Sequence, residues 1–419
     1  MGYAPYSIVP EPNLSEQKPE PIPEGEELFA TAQEAANELG VTLNTLYSYV
    51  SRKGLRTRQI PGTRSRLYWR ADIAKVKATL GRRSEPSPRI DDTDITLLTP
   101  SAPYYRGRNA IELSETHSLE EVAALLWQAD EASAFAPTVP VVPREIESLG
   151  KLIAHAPTTD KAIALLPFLE QANPRAFDLS HAGMCRTGAD VLRWYAAILT
   201  DAEHPSSAPL HEQVAAFLSA PAEISDIIRR ILVLSADHGF GAGTHAVRSV
   251  ASTGVTPYRS IIAGLAITSG HRSRLGRTQG IWQWLREIDE SPDAHSVVVR
   301  RLREGAGIPG FDSPYPYVNH DPRAEALLEG LAAVYGGTAL FGKFREARVI
   351  VRESLDLSPS FALANILFSQ LAGLERHRIL YILGRCAGWV AHSIEQSLGA
   401  ADVVPSAVYR GELPPAKPR

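Results

Sequence analysis

Asp237 and His238 stand side by side in "LSADHGFGAGTHAVRSVAST" (234–253), after an apolar run and before a Gly-rich turn and a helix-like stretch. An imidazole is the side chain that most readily donates, accepts or carries charge near neutral pH, and a neighbouring carboxylate can orient it. Alone, the pair reads first as a hydrogen-bonded core histidine. A second chemical concentration lies between Ser51 and Arg83, where eleven Lys or Arg residues face the single acid Asp72. Such focusing of positive charge, on a chain whose formal net charge is −4, is the footprint of phosphate binding. Near neutrality overall excludes a chain that is a polyelectrolyte binder throughout. Cys185 and Cys386 lack metal or redox spacing and read as two buried thiols, with no metal site.

The elements that must hold these groups follow from patterning. Residues 1–24 are rich in Pro and Glu, with no basic start and no apolar stretch. They read as a disordered tail rather than a signal peptide or anchor, and a cytoplasmic protein with no membrane partner is expected. Residues 25–83 form a compact unit. In "TAQEAANEL", Thr31 and Glu34 make a capping box; Gly40 makes a short turn; Thr42 caps "LNTLYSYVSRK", which Gly54 ends. "RTRQIPGTRSRLYWR" reads as a β-wing turning at Pro61-Gly62. Residues 84–94 are a polar linker. Beyond Ile95, "SLEEVAALLWQA", "GADVLRWYAAILTDA", "LHEQVAAFLSA", "AEALLEGLAAVYGG" and "RILYILGRCAGWVAHSIEQSLG" repeat apolar residues at helical spacing. Strand alternation is confined to a possible hairpin near "TDITLLTPSAPYYRG", so the body is read as all-α.

Residues 28–80 resemble a MerR-like winged helix-turn-helix. The resemblance implies that Thr42, Asn44, Thr45 and Tyr47 face a groove of double-stranded DNA while Arg52, Lys53, Arg64 and Arg66 reach phosphates. The alternative is a small helical module used for packing or dimer contacts.

In the body, "YYRGRNAIELSETHSLEEVAALLW" (104–127), "ADHGFGAGTHAVRSVAST" (236–253), "GFDSPYPYVNHDPRA" (310–324) and "LGRCAGWVAHSIEQ" (383–396) occur in one order. Together they resemble the citrate synthase family over roughly 95–415. The resemblance implies a large helical domain (95–271 and 375–419), a small one (272–374) and a dimer with its active site in a cleft. It also implies a reaction: acetyl-CoA condenses with oxaloacetate and the citryl thioester is hydrolysed. That chemistry needs a carboxylate base for the methyl proton, one His to hold the enol and another to polarise the oxoacid carbonyl. A further His and several Arg residues bind the dicarboxylate, since Arg pairs with carboxylates bidentately and stays charged.

Carried across by motif, the oxoacid-binding positions match His238, Arg323 of "DPR" and Arg385 before "AGW". The enol-holding His falls on Ser273, the carbonyl-polarising His on Ser313 (Pro314 in the other register), and the base on Ala362 of "PSFALAN". The carboxyl-terminal Arg pattern appears as "VPSAVYRGELP", with Val404 and Ser406. His271 and His320 lie within a loop of lost positions and could substitute. The expectation is therefore a non-catalytic or weakly active member: a homodimer or heterodimer partner, or a sensor of an oxaloacetate-like dicarboxylate or acetyl-CoA, with no tightly bound cofactor. The alternatives are a condensing enzyme with relocated residues, and a DNA-binding regulator with a ligand-binding body.

Overall fold

The computed structural model describes residues 29–52, 55–60, 63, 65–70, 72–73, 76, 92–270, 276–312, 316–317, 320–374 and 379–399. The chain divides into two compact units, Ile90–Val403 and a smaller one built on Met1–Arg89 with Val404–Arg419. The tail 1–24, Gly54 and the Pro61-Gly62 turn lie outside the described residues, as do residues 84–91 of the 84–94 linker.

The smaller unit contains β1 (Phe29–Thr31), α1 (Ala32–Leu39), α2 (Leu43–Arg52), β2 (Thr57–Gln59) and β3 (Arg66–Trp69). The Thr31–Glu34 capping box forms as read, and Gly40 adopts φ +65°, a conformation that costs glycine little, to turn the chain between the helices. The three strands make one antiparallel sheet in the order β1-β3-β2. Tyr68 projects from its centre into a small core with Ala35, Leu46, Leu55 and Ile73. Two of the basic residues hold this unit together. Arg56 grips Asp72 with Nε and Nη2 at 2.9 and 3.0 Å and stacks on Trp69, while Arg70 pairs with Glu38.

The body begins with β4 (Thr96–Leu98), β5 (Pro103–Tyr105) and β6 (Arg108–Asn109), an antiparallel sheet where the hairpin is expected. Helices follow: α3 (Ala110–Thr116), α4 (Leu119–Trp127), α5 (Glu131–Ala134), α6 (Arg144–Leu152), α7 (Thr158–Gln171) and α8 (His181–Leu199). Next come α9 (Leu210–Phe217), α10 (Ala222–Ser235), α11 (Ala242–Ala251), α12 (Pro257–Thr268), α13 (Gly276–Glu290) and α14 (Ala294–Arg303). The chain continues through α15 (Pro322–Tyr335), α16 (Ala339–Leu355), α17 (Phe361–Leu371) and α18 (Ile379–Leu398). The body is thus helical, as the periodicity requires, and no helix among the described residues is long and apolar enough to cross a membrane. Both cysteines are buried, and burial pushes the Cys185 thiol up to about 11.

α18 is the spine of the body. It packs on α4, α8, α10, α11 and α12. Its approach to α10 depends on two glycines one turn apart. A Cβ on Gly384 would lie 2.5 Å from the Leu232 carbonyl oxygen, and one on Gly388 would enter the Ala236 carbonyl and lie 2.6 Å from Asp237 Oδ1. Gly388 N–H instead donates to that carbonyl at 3.0 Å. Trp389 fills the other side, where Gly264 leaves room for its ring. Gly388→Ala is therefore expected to cost about 1–3 kcal/mol through overpacking. Gly342→Ala, in α16 with nothing near its Cβ position, should be neutral or stabilising by up to about 1 kcal/mol. Urea unfolding of the two variants checks the contrast.

Candidate functional site

The turn between α10 and α11 presents His238. Three contacts shape it. Tyr105 of β5 reaches in, its hydroxyl donating toward the Val233 and Asp237 carbonyls, both at 3.1 Å. Asp237 Oδ2 accepts the Gly239 N–H at 2.9 Å, and Gly239 takes φ +59° to close the turn. Thr244 Oγ donates to the Gly239 carbonyl at 3.0 Å. The result is a rigid loop in which Asp237 points inward, fully buried, and His238 is half-buried at its edge.

Arg385 stands behind this turn. Nη1 binds Asp237 Oδ1, and Nη2 donates to Thr244 Oγ at 2.7 Å. Burial alone would raise the Asp237 carboxyl, but the Arg385 guanidinium holds it well below the usual carboxylate range. Burial would likewise lower Arg385, and the Asp237 charge outweighs it.

Arg323 stands in front. Nη1 lies 3.1 Å from His238 Nδ1, and since a guanidinium only donates, Nδ1 accepts and the proton of a neutral ring sits on Nε2. Nε and Nη2 of Arg323 bind both oxygens of Asp321 at 3.0 and 2.8 Å. Its planar cation lies between two rings, 5.2 Å from Tyr317 and 4.9 Å from Phe361, and Tyr317 also stacks on His238 at 5.7 Å. Burial pushes the Tyr317 hydroxyl up to about 12, so it stays a neutral donor. Asp321 accepts the Phe361 N–H at 3.1 Å, tying the start of α17 to Arg323. Phe311 bridges Pro359 beside it.

A model of the citrate synthase C-terminal domain matches residues 88–404. The chain belongs to the citrate synthase family. Putative citrate synthase 2 of Mycobacterium tuberculosis is 29% identical over 191 residues, 43% of this chain. The chain spans only 50% of that relative's length in the match. 2-Methylcitrate synthase 1 of Corynebacterium glutamicum is 26% identical over 359 residues, 77% of this chain and 93% of that protein. Citrate synthase of Thermoplasma acidophilum, solved as a ternary complex with carboxymethyl coenzyme A and oxaloacetate, superimposes with a TM-score of 0.61. It is 19% identical and the match covers 78% of this chain and 95% of that one, which shows the shared fold.

Within this citrate synthase fold, His238 and Arg323 are in contact, and Arg385 lies against the backbone of the same turn. Ala362 is exposed, the second residue of α17 and next to the Phe361 ring that covers Arg323. His320 is exposed one residue before Asp321. His271, Ser273, Ser313, Pro314, Val404 and Ser406 lie outside the described residues. In the smaller unit, Thr42 is exposed just before α2, Asn44 and Tyr47 are exposed on α2, Thr45 is half-buried, and Arg66 is exposed on β3. Arg52 ends α2, while Lys53 and Arg64 lie outside the described residues.

Motif matching missed the inward partners of the two arginines. Asp237 and Asp321 each lie in the quoted motifs, yet only the folded chain reveals that they occupy Arg385 and Arg323. His392 was likewise passed over, although its place one turn after Gly388 puts it on the face of α18 that meets the turn.

Asp237→Asn should leave the buried Arg385 without its counter-charge and cost about 3–5 kcal/mol at pH 7. A carboxyl held low in the folded state stabilises above its unfolded value of about 4, and that contribution fades as pH falls through the folded value. The gap between wild type and Asp237→Asn should therefore be full at pH 7 and narrow steadily below about pH 4. Urea midpoints at both ends of that range check it, and a gap independent of pH would contradict it.

Proposed function

We propose that this protein is a citrate-synthase-family ligand binder without effective condensing chemistry. It works as the partner of a similar chain in a dimer, or as a sensor of an oxaloacetate-like dicarboxylate with acetyl-CoA as a second ligand. The observation that carries this reading is Ala362: beside the Arg323–Phe361 contact, α17 offers a methyl group and no oxygen to take a proton. The sequence supports it at the two other family positions, Ser273 and Ser313, where no imidazole stands against developing charge. Each lost acid or base typically removes ~100- to 10,000-fold in rate, and groups that act together are not restored singly. The oxaloacetate and coenzyme A analogue bound by the Thermoplasma enzyme support the choice of ligands. His238 and Arg323 supply a neutral ring and a cation side by side for a carboxylate. In this reading the protein is cytoplasmic.

Both arginines are already matched by internal carboxylates, so the dicarboxylate should bind weakly. Purified protein with acetyl-CoA and oxaloacetate should release no thiol above background, and Ala362→Asp alone should not change that. Robust release, abolished by His271→Ala or His320→Ala, would overturn the reading in favour of a condensing enzyme with relocated histidines. Tight oxaloacetate binding by calorimetry would overturn the weak-ligand part.

One observation favours a second role for the smaller unit, as a winged helix-turn-helix on double-stranded DNA. Along α2, Asn44 and Tyr47 face solvent while Leu46 is fully buried, and exposed Arg58 and Arg66 flank the hairpin beside that helix in sequence. The intact protein should bind duplex DNA with an affinity that falls with salt, and Arg66→Ala should reduce the log–log salt slope by about 1. Fluorescence anisotropy measures this. No binding even at low salt would leave the unit as a protein-contact module.

A further inference from the structure

A buried array of polar groups leads away from the turn and serves none of the chemistry above. His392 is fully buried on α18. Its Nε2 lies 3.3 Å from Asp237 Oδ1, and its Nδ1 lies 3.3 Å from Arg248 Nη1 of α11. Arg248, itself buried, pairs with Glu395 and donates from Nη2 to the Asp92 carbonyl at 3.0 Å. Glu395 accepts the Asp94 N–H at 2.9 Å. Phe240 meets the His392 ring edge-on at 5.5 Å and lies under the Arg248 guanidinium at 5.4 Å.

Donor and acceptor types fix the ring. A guanidinium carries only donors, so the nitrogen facing Arg248 must accept. The ring proton is then on Nε2, 3.3 Å from Asp237 Oδ1 in a close polar contact rather than an aligned hydrogen bond. This neutral tautomer also leaves the charges matched, Asp237 against Arg385 and Glu395 against Arg248. A second proton would set two donors face to face inside the protein. Asp237 in turn has two tasks: Oδ1 holds Arg385 and Oδ2 holds the Gly239 N–H that closes the turn.

We propose that His392 is the positioning residue of the His238 turn: fixed as its Nε2–H tautomer by Arg248, it sets its N–H edge against Asp237 and so keeps that carboxylate on Arg385 and Gly239. The orientation of His238 toward Arg323 then depends on a histidine that touches no ligand. The ligand-binding consequence rests on the reading of His238 as an anion-holding residue; the ring-proton assignment does not.

The intact protein with 15N-labelled histidine rings tests it, through long-range nitrogen–proton correlation spectra. His392 is identified as the ring that vanishes in His392→Gln. The expected result is the Nε2–H pattern for His392 at neutral pH. The His238 pattern should persist in His392→Gln, which retains an amide donor, and shift in His392→Leu. An Nδ1–H or doubly protonated His392, or a His238 pattern untouched by His392→Leu, overturns the proposal. Should His392→Leu fail to fold, the tautomer and the His392→Gln spectrum decide, a displaced His238 in that variant being the adverse result. Oxaloacetate affinity should stay within about threefold in His392→Gln and fall about tenfold or more in His392→Leu, as expected for losing a polar contact to a charged group. If the unmodified protein binds no oxaloacetate but the ring patterns are as expected, the ligand reading fails and the positioning role stands.

Discussion

A carboxylate with no exposure to water, Asp237, is the constraint around which the body is arranged. An ionised group in that position is tolerable only when its charge is matched and its oxygens are hydrogen-bonded. Arg385, His392 and the Gly239 N–H meet that requirement together, and they come from one helix and one turn. Their convergence demands that α18 approach the end of α10 more closely than side chains usually allow. Gly384 and Gly388 make the approach possible, so a packing detail and an electrostatic requirement are the same feature.

The site in front of this core is built from cations already in use. Arg323 is held by Asp321 on one side and by two aromatic rings on its faces, leaving Nη1 directed at His238. A guanidinium so fixed is well oriented for a carboxylate, but its charge is shared with a permanent partner. Beside it, the start of α17 contributes Phe361, Ala362 and Leu363, none of which carries a side-chain oxygen or nitrogen. The smaller unit shows the same economy of charge. Arg56 and Arg70 belong to its folding, and its sheet places Arg66 opposite Gln59 on the hairpin.

Local signals in the chain were enough for much of this. The capping box at Thr31, the left-handed Gly40 and the helical periodicity from Ser118 onward each dictate structure within a few residues, and each appears where the pattern puts it. The contact between His238 and Arg323, 85 residues apart, was legible only because family motifs keep their order. Nothing local could announce that Asp237 faces inward while its neighbour faces the site. That choice is made by Tyr105, 132 residues away, and by the glycines of α18, whose significance lies in what approaches them. Patterning likewise treats His392 as one polar residue on an apolar helix, since its partner Arg248 is supplied by tertiary packing.

The far end of the polar array gives the first residues of the body an unusual mechanical status. Asp92 is bound through its carbonyl to Arg248, and Asp94 through its N–H to Glu395, before the first strand of the body begins. A pull along the chain from the amino-terminal side therefore meets its anchor at an ion pair between buried Arg248 and half-buried Glu395, not at a fraying strand end.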